Sequence, residues 1–386
     1  MLRFAAGFQL LQFAAIFWLL RFVATLRLLQ FAAIFRFAGV CFILTLVSGC
    51  AESEQALTIQ ASGATFPAPL YQRWFLELYK ADPTLRINYQ AVGSGAGIRQ
   101  FSEGLTLLGA SDAPLKDDEI LQAEQRLGTP IFQVPLTAGA IALCYNLPGV
   151  PADRPVRLSR QVLLDFLLQS PVADGHVERT ITHWDDPLIQ ELNPELRLPH
   201  IPITWIRRSE GSGSTYALTL HLAAVRPEWK KEIGVNKSVS WRVGLGAKGT
   251  DGVAALIEQT PGALGYVEYG FAELAQLRWI ALENRAGKFV TPSASSNAAA
   301  LRGVPVPADF RVAVPDPAAP DAYPIVTYTW VIGRKRYPDE RTAAAIRQTL
   351  RYALEQGQQL SPSLGYIPLP AEVVERVRKI VDEIEP

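Results

Sequence analysis

The chain has 386 residues, with 37 basic and 37 acidic side chains and no net formal charge. That length exceeds one ordinary hydrophobic core and predicts two domains. Residues 1–49 contain Arg3, Arg21, Arg27 and Arg36 and no acid, which leaves 33 basic against 37 acidic residues in the rest; such a mildly acidic body argues against nucleic acid as a partner and requires any bound anion to be held by local donors.

The first 50 residues are Phe, Leu and Ala punctuated by Arg, and the run Leu10 to Phe17 recurs unchanged at Leu28 to Phe35. Residues 1–50 read as a signal or membrane-targeting segment. Arg36 supplies the positive flank and Phe37 to Val47 the apolar stretch. Val47-Ser48-Gly49-Cys50 resembles a bacterial lipobox, with Cys50 as the lipidated residue and new N-terminus. A membrane span needs about 20 apolar residues, more than Phe37 to Cys50 provides. The duplicated part upstream reads equally as an overextended gene start, an additional membrane-associated segment or a repeat expansion. Cys144 lies in the apolar run Ala138 to Tyr145 and reads as core. The four histidines (His176, His183, His200, His221) lack metal-ligand spacing, so neither metal nor cofactor is expected.

From Leu57 the chain alternates strand and helix, the pattern of an α/β protein. Leu57 to Ala61 reads as a strand, followed by Ser62-Gly63-Ala64-Thr65-Phe66-Pro67 and a helix from Leu70, with Thr65 and Phe66 at the helix start. Leu85 to Ala91 alternates as a half-buried strand. It enters Val92-Gly93-Ser94-Gly95-Ala96-Gly97 and a short helix stopped by Gly104. Leu107 to Asp112 reads as a strand ending on an acid. Ile131 to Val134 and Ala138 to Asn146 read as two strands, and Leu158 to Leu168 as a helix. His183 to Pro187 opens another helix. Ile203 to Ile206 is a buried strand that leads to Arg208-Ser-Glu-Gly-Ser-Gly-Ser-Thr-Tyr216, then a helix with Leu218, Leu222 and Val225 that Pro227 ends. Gly244 to Gly252 is glycine-rich but lacks the order of a P-loop. Ala263 to Glu268 is a strand, 304–324 an irregular connection, and Ile325 to Ile332 a strand. Two closing helices follow, the first ended by Gly357 and the second carrying Val373, Val377 and Val381.

Three times, then, a strand runs through a Gly-Ser or Gly-Thr turn into a helix. Helix starts offer unpaired N–H donors and a partial positive charge. Glycines let the backbone approach a ligand, and Arg208 adds a planar charged fork suited to tetrahedral oxyanions. The three turns predict helix N-termini converging on one anion. A carboxylate at Asp112 suits such a site only if the ligand carries a proton to donate.

From about Leu57 to Ile384 the chain resembles the phosphate-binding proteins of bacterial phosphate-specific ABC transporters. The residues that carry the resemblance are Gly63-Ala-Thr-Phe-Pro-Ala-Pro69, Gly109-Ala-Ser-Asp-Ala-Pro114, Arg207-Arg-Ser-Glu-Gly-Ser-Gly213 and Gly262-Ala-Leu-Gly-Tyr-Val-Glu-Tyr269, with Trp184-Asp185-Asp186 and Leu192-Asn193-Pro194. The resemblance implies a two-lobed α/β periplasmic binding protein of type II, each lobe a sheet flanked by helices with the ligand between them. It implies a first lobe from 51–146 and 322–386, a second from 147–321, and hinges near Tyr145 and Tyr323. It implies phosphate contacts from Thr65, Phe66, Ser94, Asp112, Arg208, Ser212, Gly213 and Ser214, with Asp112 accepting the ligand's proton. Ser214 and Glu210 stand where the family commonly has Thr and Asp. The expected function is capture of inorganic phosphate in the periplasm or at the cell surface, by a lipid-anchored monomer that delivers it to inner-membrane permease subunits. The rivals are a receptor for sulfate or molybdate, and a phosphatase-type hydrolase with Ser94 or Ser212 as nucleophile. The hydrolase needs a base beside the serine, and no histidine is near either in sequence, so no enzymatic activity is expected.

Overall fold

The computed structural model describes residues 56–386 apart from 175 and 176. The expected targeting segment and Cys50 lie outside the described residues. In the first part, β1 (Leu57–Gly63), β2 (Leu85–Ala91) and β3 (Leu108–Ser111) alternate with α1 (Ala68–Ala81), α2 (Ser94–Ser102) and α3 (Asp117–Leu127), before the long strand β4 (Ile131–Tyr145). The middle of the chain holds β5 (Arg157–Leu158), α4 (Arg160–Leu168), the hairpin β6 (Val172–Asp174) and β7 (Val177–Arg179), α5 (Pro187–Leu192), β8 (Thr204–Arg208), α6 (Gly213–Val225), α7 (Pro227–Glu232), β9 (Leu245–Ala247), α8 (Gly249–Gln259), β10 (Ala263–Glu268), α9 (Tyr269–Leu274), β11 (Arg278–Trp279), β12 (Ala281–Glu283), β13 (Phe289–Val290) and α10 (Ala294–Leu301). The chain then returns through β14 (Val326–Arg334), α11 (Glu340–Leu354), α12 (Gln356–Leu360) and α13 (Ala371–Asp382).

Local chemistry sets many of these limits. Asp186 caps α5 by accepting from Leu188 N, with Pro187 in the first turn where its missing N–H costs nothing. Asp339 caps α11 through Thr342 N. The valine stripe of α13 is buried, as its four-residue spacing requires. Cys144 is fully buried in the core.

One nine-stranded sheet organises the described residues in the order β2-β1-β3-β14-β4-β10-β8-β9, with β11 also on β4. It has two halves that share β4. Residues Ile131 to Ala140 of β4 pair with β14, and Ile141 to Tyr145 pair with β10. Within the first half β1, β2 and β3 are mutually parallel, and within the second β8, β9 and β10 are. Because β14 is antiparallel to both β3 and β4, and β10 is antiparallel to β4, the two parallel sets run in opposite senses. Their carboxyl ends therefore face each other across the middle of β4, where an open α/β sheet places its ligand. The fold is the expected two-lobed α/β architecture, with helices covering both half-sheets. Nearly every residue of β4 is buried, which fits a central strand covered on both faces.

Three local expectations change. The two strands expected at 131–134 and 138–146 are one strand. Pro135, in the gap between them, sits where the register with β14 shifts between Thr329 and Trp330, and a bulge tolerates its missing N–H. Thr65 and Phe66 precede the helix rather than start it, because α1 begins at Ala68 with Pro67 as its cap. Gly357 lies in α12 rather than ending α11; a Cβ there would stand 2.9 Å from the Trp74 ring, whose Nε1 donates to Gly357 O at 2.8 Å.

Candidate functional site

Each expected contact residue sits at or just beyond the carboxyl end of a parallel strand. Thr65 and Phe66 follow β1, Ser94 follows β2, Asp112 follows β3, and Arg208 ends β8 with Ser212, Gly213 and Ser214 just after it. All eight are buried. Their backbones pack closely against one another. Gly213 lies so close to the Asp112 loop that a Cβ on it would be 2.4 Å from Asp112 Cβ.

Asp112 stands at the centre. Its Oδ1 accepts from Thr329 Oγ1 at 2.8 Å and its Oδ2 from Ser94 Oγ at 3.3 Å. Ser94 Oγ in turn accepts from Asp112 N at 3.2 Å and Gly213 N at 3.1 Å. Burial pushes the Asp112 carboxyl up to about 7, even though Thr329, the Arg208 charge and Ser94 all pull it down.

Arg208 is buried as well. Its Nε donates to Glu210 Oε1 at 2.7 Å, and its Nη2 donates to the same oxygen. The backbone N–H of Arg208 donates to Tyr266 Oη at 3.1 Å, and that hydroxyl pairs with Thr215 Oγ1 at 2.6 Å in the first turn of α6. Glu210 Oε1 also accepts from Gly249 N at 3.0 Å, while Oε2 is buried with no partner. Burial raises the Glu210 pKa, but the hydrogen bond and charge of Arg208 more than reverse this, and the carboxyl lies below its ordinary value. Arg208 Nη1 has no hydrogen-bond partner among the described residues.

Thr65 Oγ1 meets Thr250 Oγ1 at 2.8 Å. The Phe66 carbonyl accepts from Tyr366 Oη at 2.7 Å, which also reaches Glu268 Oε2 at 3.3 Å. The Phe66 ring packs edge-on to Tyr366. Ser212 caps α6, accepting from Thr215 N at 3.4 Å and donating its own N–H to Lys237 O at 2.8 Å. The backbone N–H groups of Thr65, Phe66, Ser94 and Ser214 have no partner among the described residues. The site therefore combines a buried guanidinium, four uncommitted N–H groups and several hydroxyls around one buried carboxyl. Such a set suits a small oxyanion that still carries a proton.

Sequence reasoning missed Thr250, Thr329, Tyr266 and Tyr366. Thr250 comes from the glycine-rich run Gly244 to Gly252, for which no role was expected, and the strand–turn–helix rhythm of β9 and α8 was the available signal. The two half-sheets also touch directly around the site. Gly95 N donates to Gly211 O at 2.9 Å, Lys237 Nζ to Glu119 Oε1 at 2.6 Å, and Arg311 pairs with Asp117.

A family model described as the PBP superfamily domain matches residues 49–354. The phosphate-binding protein PstS of Haemophilus influenzae is 34% identical over 339 residues, which is 87% of this chain and 96% of that protein. PstS of Methanocaldococcus jannaschii is 33% identical, over 87% of this chain and 91% of its own. The chain belongs to the PstS family of the PBP superfamily. Among solved structures, a high-affinity periplasmic phosphate-binding protein bound with phosphate superposes with a TM-score of 0.68, at 22% identity over 84% of this chain and 93% of that one. A phosphate-binding protein from Stenotrophomonas maltophilia gives a TM-score of 0.61, at 20% identity over 84% of this chain and 94% of its own. These two share the fold. The resemblance read from the sequence thus holds across the chain, and these relatives are named as binding proteins rather than enzymes. No helix of the described residues is long and apolar enough to cross a membrane.

Proposed function

We propose that this PstS-family chain captures inorganic phosphate outside the inner membrane and delivers it to an ABC transporter permease. The observation that carries this reading is the Asp112 carboxyl, buried and held by the Thr329 and Ser94 hydroxyls among the uncommitted donors of the site. Phosphate brings a proton that this carboxylate accepts, while fully ionised sulfate or molybdate brings only a like charge. Thr65, Phe66, Ser94 and Asp112 form one wall of the ligand site, and Arg208, Ser212, Gly213 and Ser214 the other. Residues 51–146 and 322–386 constitute one lobe and residues 147–321 the second, with the end of β4 from Ile141 crossing into the second half-sheet. The chain works as a monomer in the periplasm or at the cell surface, anchored through a lipid on Cys50; the mass of its mature N-terminal peptide tests that anchor, and an unmodified Cys50 would refute it.

A hydrolase with Ser94 as nucleophile is disfavoured by the bonds around that hydroxyl. Its oxygen already accepts two N–H groups, so its lone pairs are engaged. Calorimetric titration of the purified chain, unfolded and refolded to strip bound ligand, tests the reading directly. One-to-one phosphate binding without a response to sulfate is expected. Preference for sulfate or for a phosphomonoester overturns the ligand, and steady release of phosphate from the ester overturns the non-enzymatic role.

Gly213→Ala gives a sharper check on the closed site. The added methyl meets Asp112 Cβ at 2.4 Å and its backbone at 2.7 Å. Overpacking of this kind costs about 1–3 kcal/mol. Because the contact joins the two half-sheets, separation of the walls relieves it. Phosphate affinity should fall roughly 5- to 150-fold, while the ligand-free melting temperature stays nearly unchanged. An affinity equal to that of the unmodified protein would show that the two walls do not approach this closely when phosphate is bound.

A further inference from the structure

We infer that Thr250 is a positioning residue that aims the Thr65 hydroxyl at the captured anion, an assignment that rests on the phosphate reading above. Thr250 is the second residue of α8 and is buried, and its Oγ1 stands 2.8 Å from Thr65 Oγ1 across 185 residues of sequence. The two hydroxyls belong to opposite half-sheets, so their bond joins the two walls of the site.

Two hydroxyls that share one hydrogen bond keep one proton to spare. With an anion beside the free N–H groups of Thr65 and Phe66, the favoured direction runs from Thr250 to Thr65 to the anion. Each proton then points down the chain toward the negative charge, and each bond polarises the next. Thr250 thereby spends its proton on Thr65 Oγ1 and leaves the Thr65 proton for the ligand.

The rest of α8 is built to hold Thr250 there. Gly249 has φ 76°, in the left-handed region that favours glycine, and a Cβ on it would stand 2.3 Å from Asp251 Oδ1. Its N–H donates at 3.0 Å to Glu210 Oε1, the oxygen that also holds Arg208. Consecutive residues of α8 therefore tie the partner of Arg208 to the hydroxyl of Thr65. A ligand gripped by Arg208 and Thr65 is gripped through α8 as well, and Thr250 should govern how long it stays.

The test uses the full chain in detergent, with phosphate affinity by calorimetry and phosphate dissociation and association by stopped flow. Thr250→Val keeps the side-chain shape and removes the hydroxyl. Dissociation should rise about five- to tenfold, as expected for one neutral hydrogen bond, with association changed less than about twofold. Thr250→Ser should restore dissociation to within about twofold, and Thr250→Ala should match the valine variant. Thr65→Val combined with Thr250→Val should be no worse than Thr65→Val alone, because the two hydroxyls act as one chain. The inference is overturned if Thr250→Val releases phosphate at the wild-type rate, or if Thr250→Ser is as impaired as Thr250→Val. If the wild-type chain binds no phosphate, the reading beneath falls and this one with it; if it binds and Thr250→Val is silent, only this one falls.

Discussion

Replacing Arg208 with Gln should reduce phosphate affinity by roughly two to three orders of magnitude, the largest loss expected of a single substitution in this protein. The side chain is almost wholly enclosed, at 3% exposed, and is the only cation among the eight expected contact residues. Truncating one partner of a buried, hydrogen-bonded charge pair costs about 2–5 kcal/mol, much of it the penalty of leaving the other charge unpaired. Here that other charge is Glu210, whose Oε2 has no partner even now. The loss therefore has two parts. Phosphate forfeits its guanidinium, and the ligand-free protein forfeits stability because the part-buried Glu210 loses its charge partner. Adding Glu210→Gln to Arg208→Gln should recover most of the thermal stability and none of the affinity. Calorimetry and thermal unfolding of the single and double variants separate the parts. Phosphate binding by Arg208→Gln within tenfold of wild type would mean that the N–H groups of the helix starts suffice, and that Arg208 serves only to neutralise Glu210.

Asp112→Asn should erase most of the discrimination between phosphate and sulfate. With phosphate the carboxylate gains a charge-assisted hydrogen bond worth roughly 1.5–3 kcal/mol. With sulfate it meets a like charge, which costs about 4 kcal/mol at moderate effective dielectric. A site built around a ligand O–H rejects an analogue lacking it by about 10⁴-fold. In the amide variant phosphate should bind about 10- to 100-fold more weakly and sulfate more strongly. An unchanged preference would remove Asp112 from the account of selectivity. The same variant has a signature without ligand. The carboxyl ordinarily titrates at 3.8 and is pushed up to about 7 in the fold. Between those values the folded protein binds a proton that the unfolded chain has released, so ligand-free stability falls as pH rises from about 4 to about 7, by at most roughly 1.4 kcal/mol per pH unit. Asp112→Asn should flatten that decline and melt at higher temperature than wild type at pH 8. A parallel decline in both proteins would assign it to other groups, of which Glu268, pushed by burial up to about 8, is the nearest in kind.

Much of this site was legible because its parts are local. A strand, a glycine turn with a hydroxyl and a helix start occupy about ten consecutive residues, and the residue types report the geometry. Thr65, Ser94 and the run from Arg208 to Ser214 were readable that way, as was Asp112 at a strand end. The partners that complete the site were not. Thr329 reaches Asp112 from 217 positions away and Thr250 reaches Thr65 from 185. Both meetings depend on how strands pair across the sheet, which no window of sequence contains. Neither threonine belongs to a motif that marks it, since a buried Thr on a strand or in a helix start is ordinary. The two strands expected at 131–134 and 138–146 show the opposite error: the pairing of β4 with β14 joins them through a bulge at Pro135.

That bulge has a consequence for how the gene can change length. On a strand, a shift of one residue turns every side chain to the opposite face. The register change between Thr329 and Trp330 aligns the first with Thr137 and the second with Pro135, passing over Leu136, and it is on this turn of the backbone that Thr329 reaches the Asp112 carboxyl. Deleting Leu136, or inserting a codon beside it, would leave composition and hydrophobicity almost intact and yet rotate one end of the strand away from its layer. Insertions and deletions viable in this lineage should therefore collect in the irregular segment 304–324 and spare the codons from Ile131 to Tyr145. A deep library of single-codon indels scored by phosphate uptake would display that boundary as a gap in the survivors.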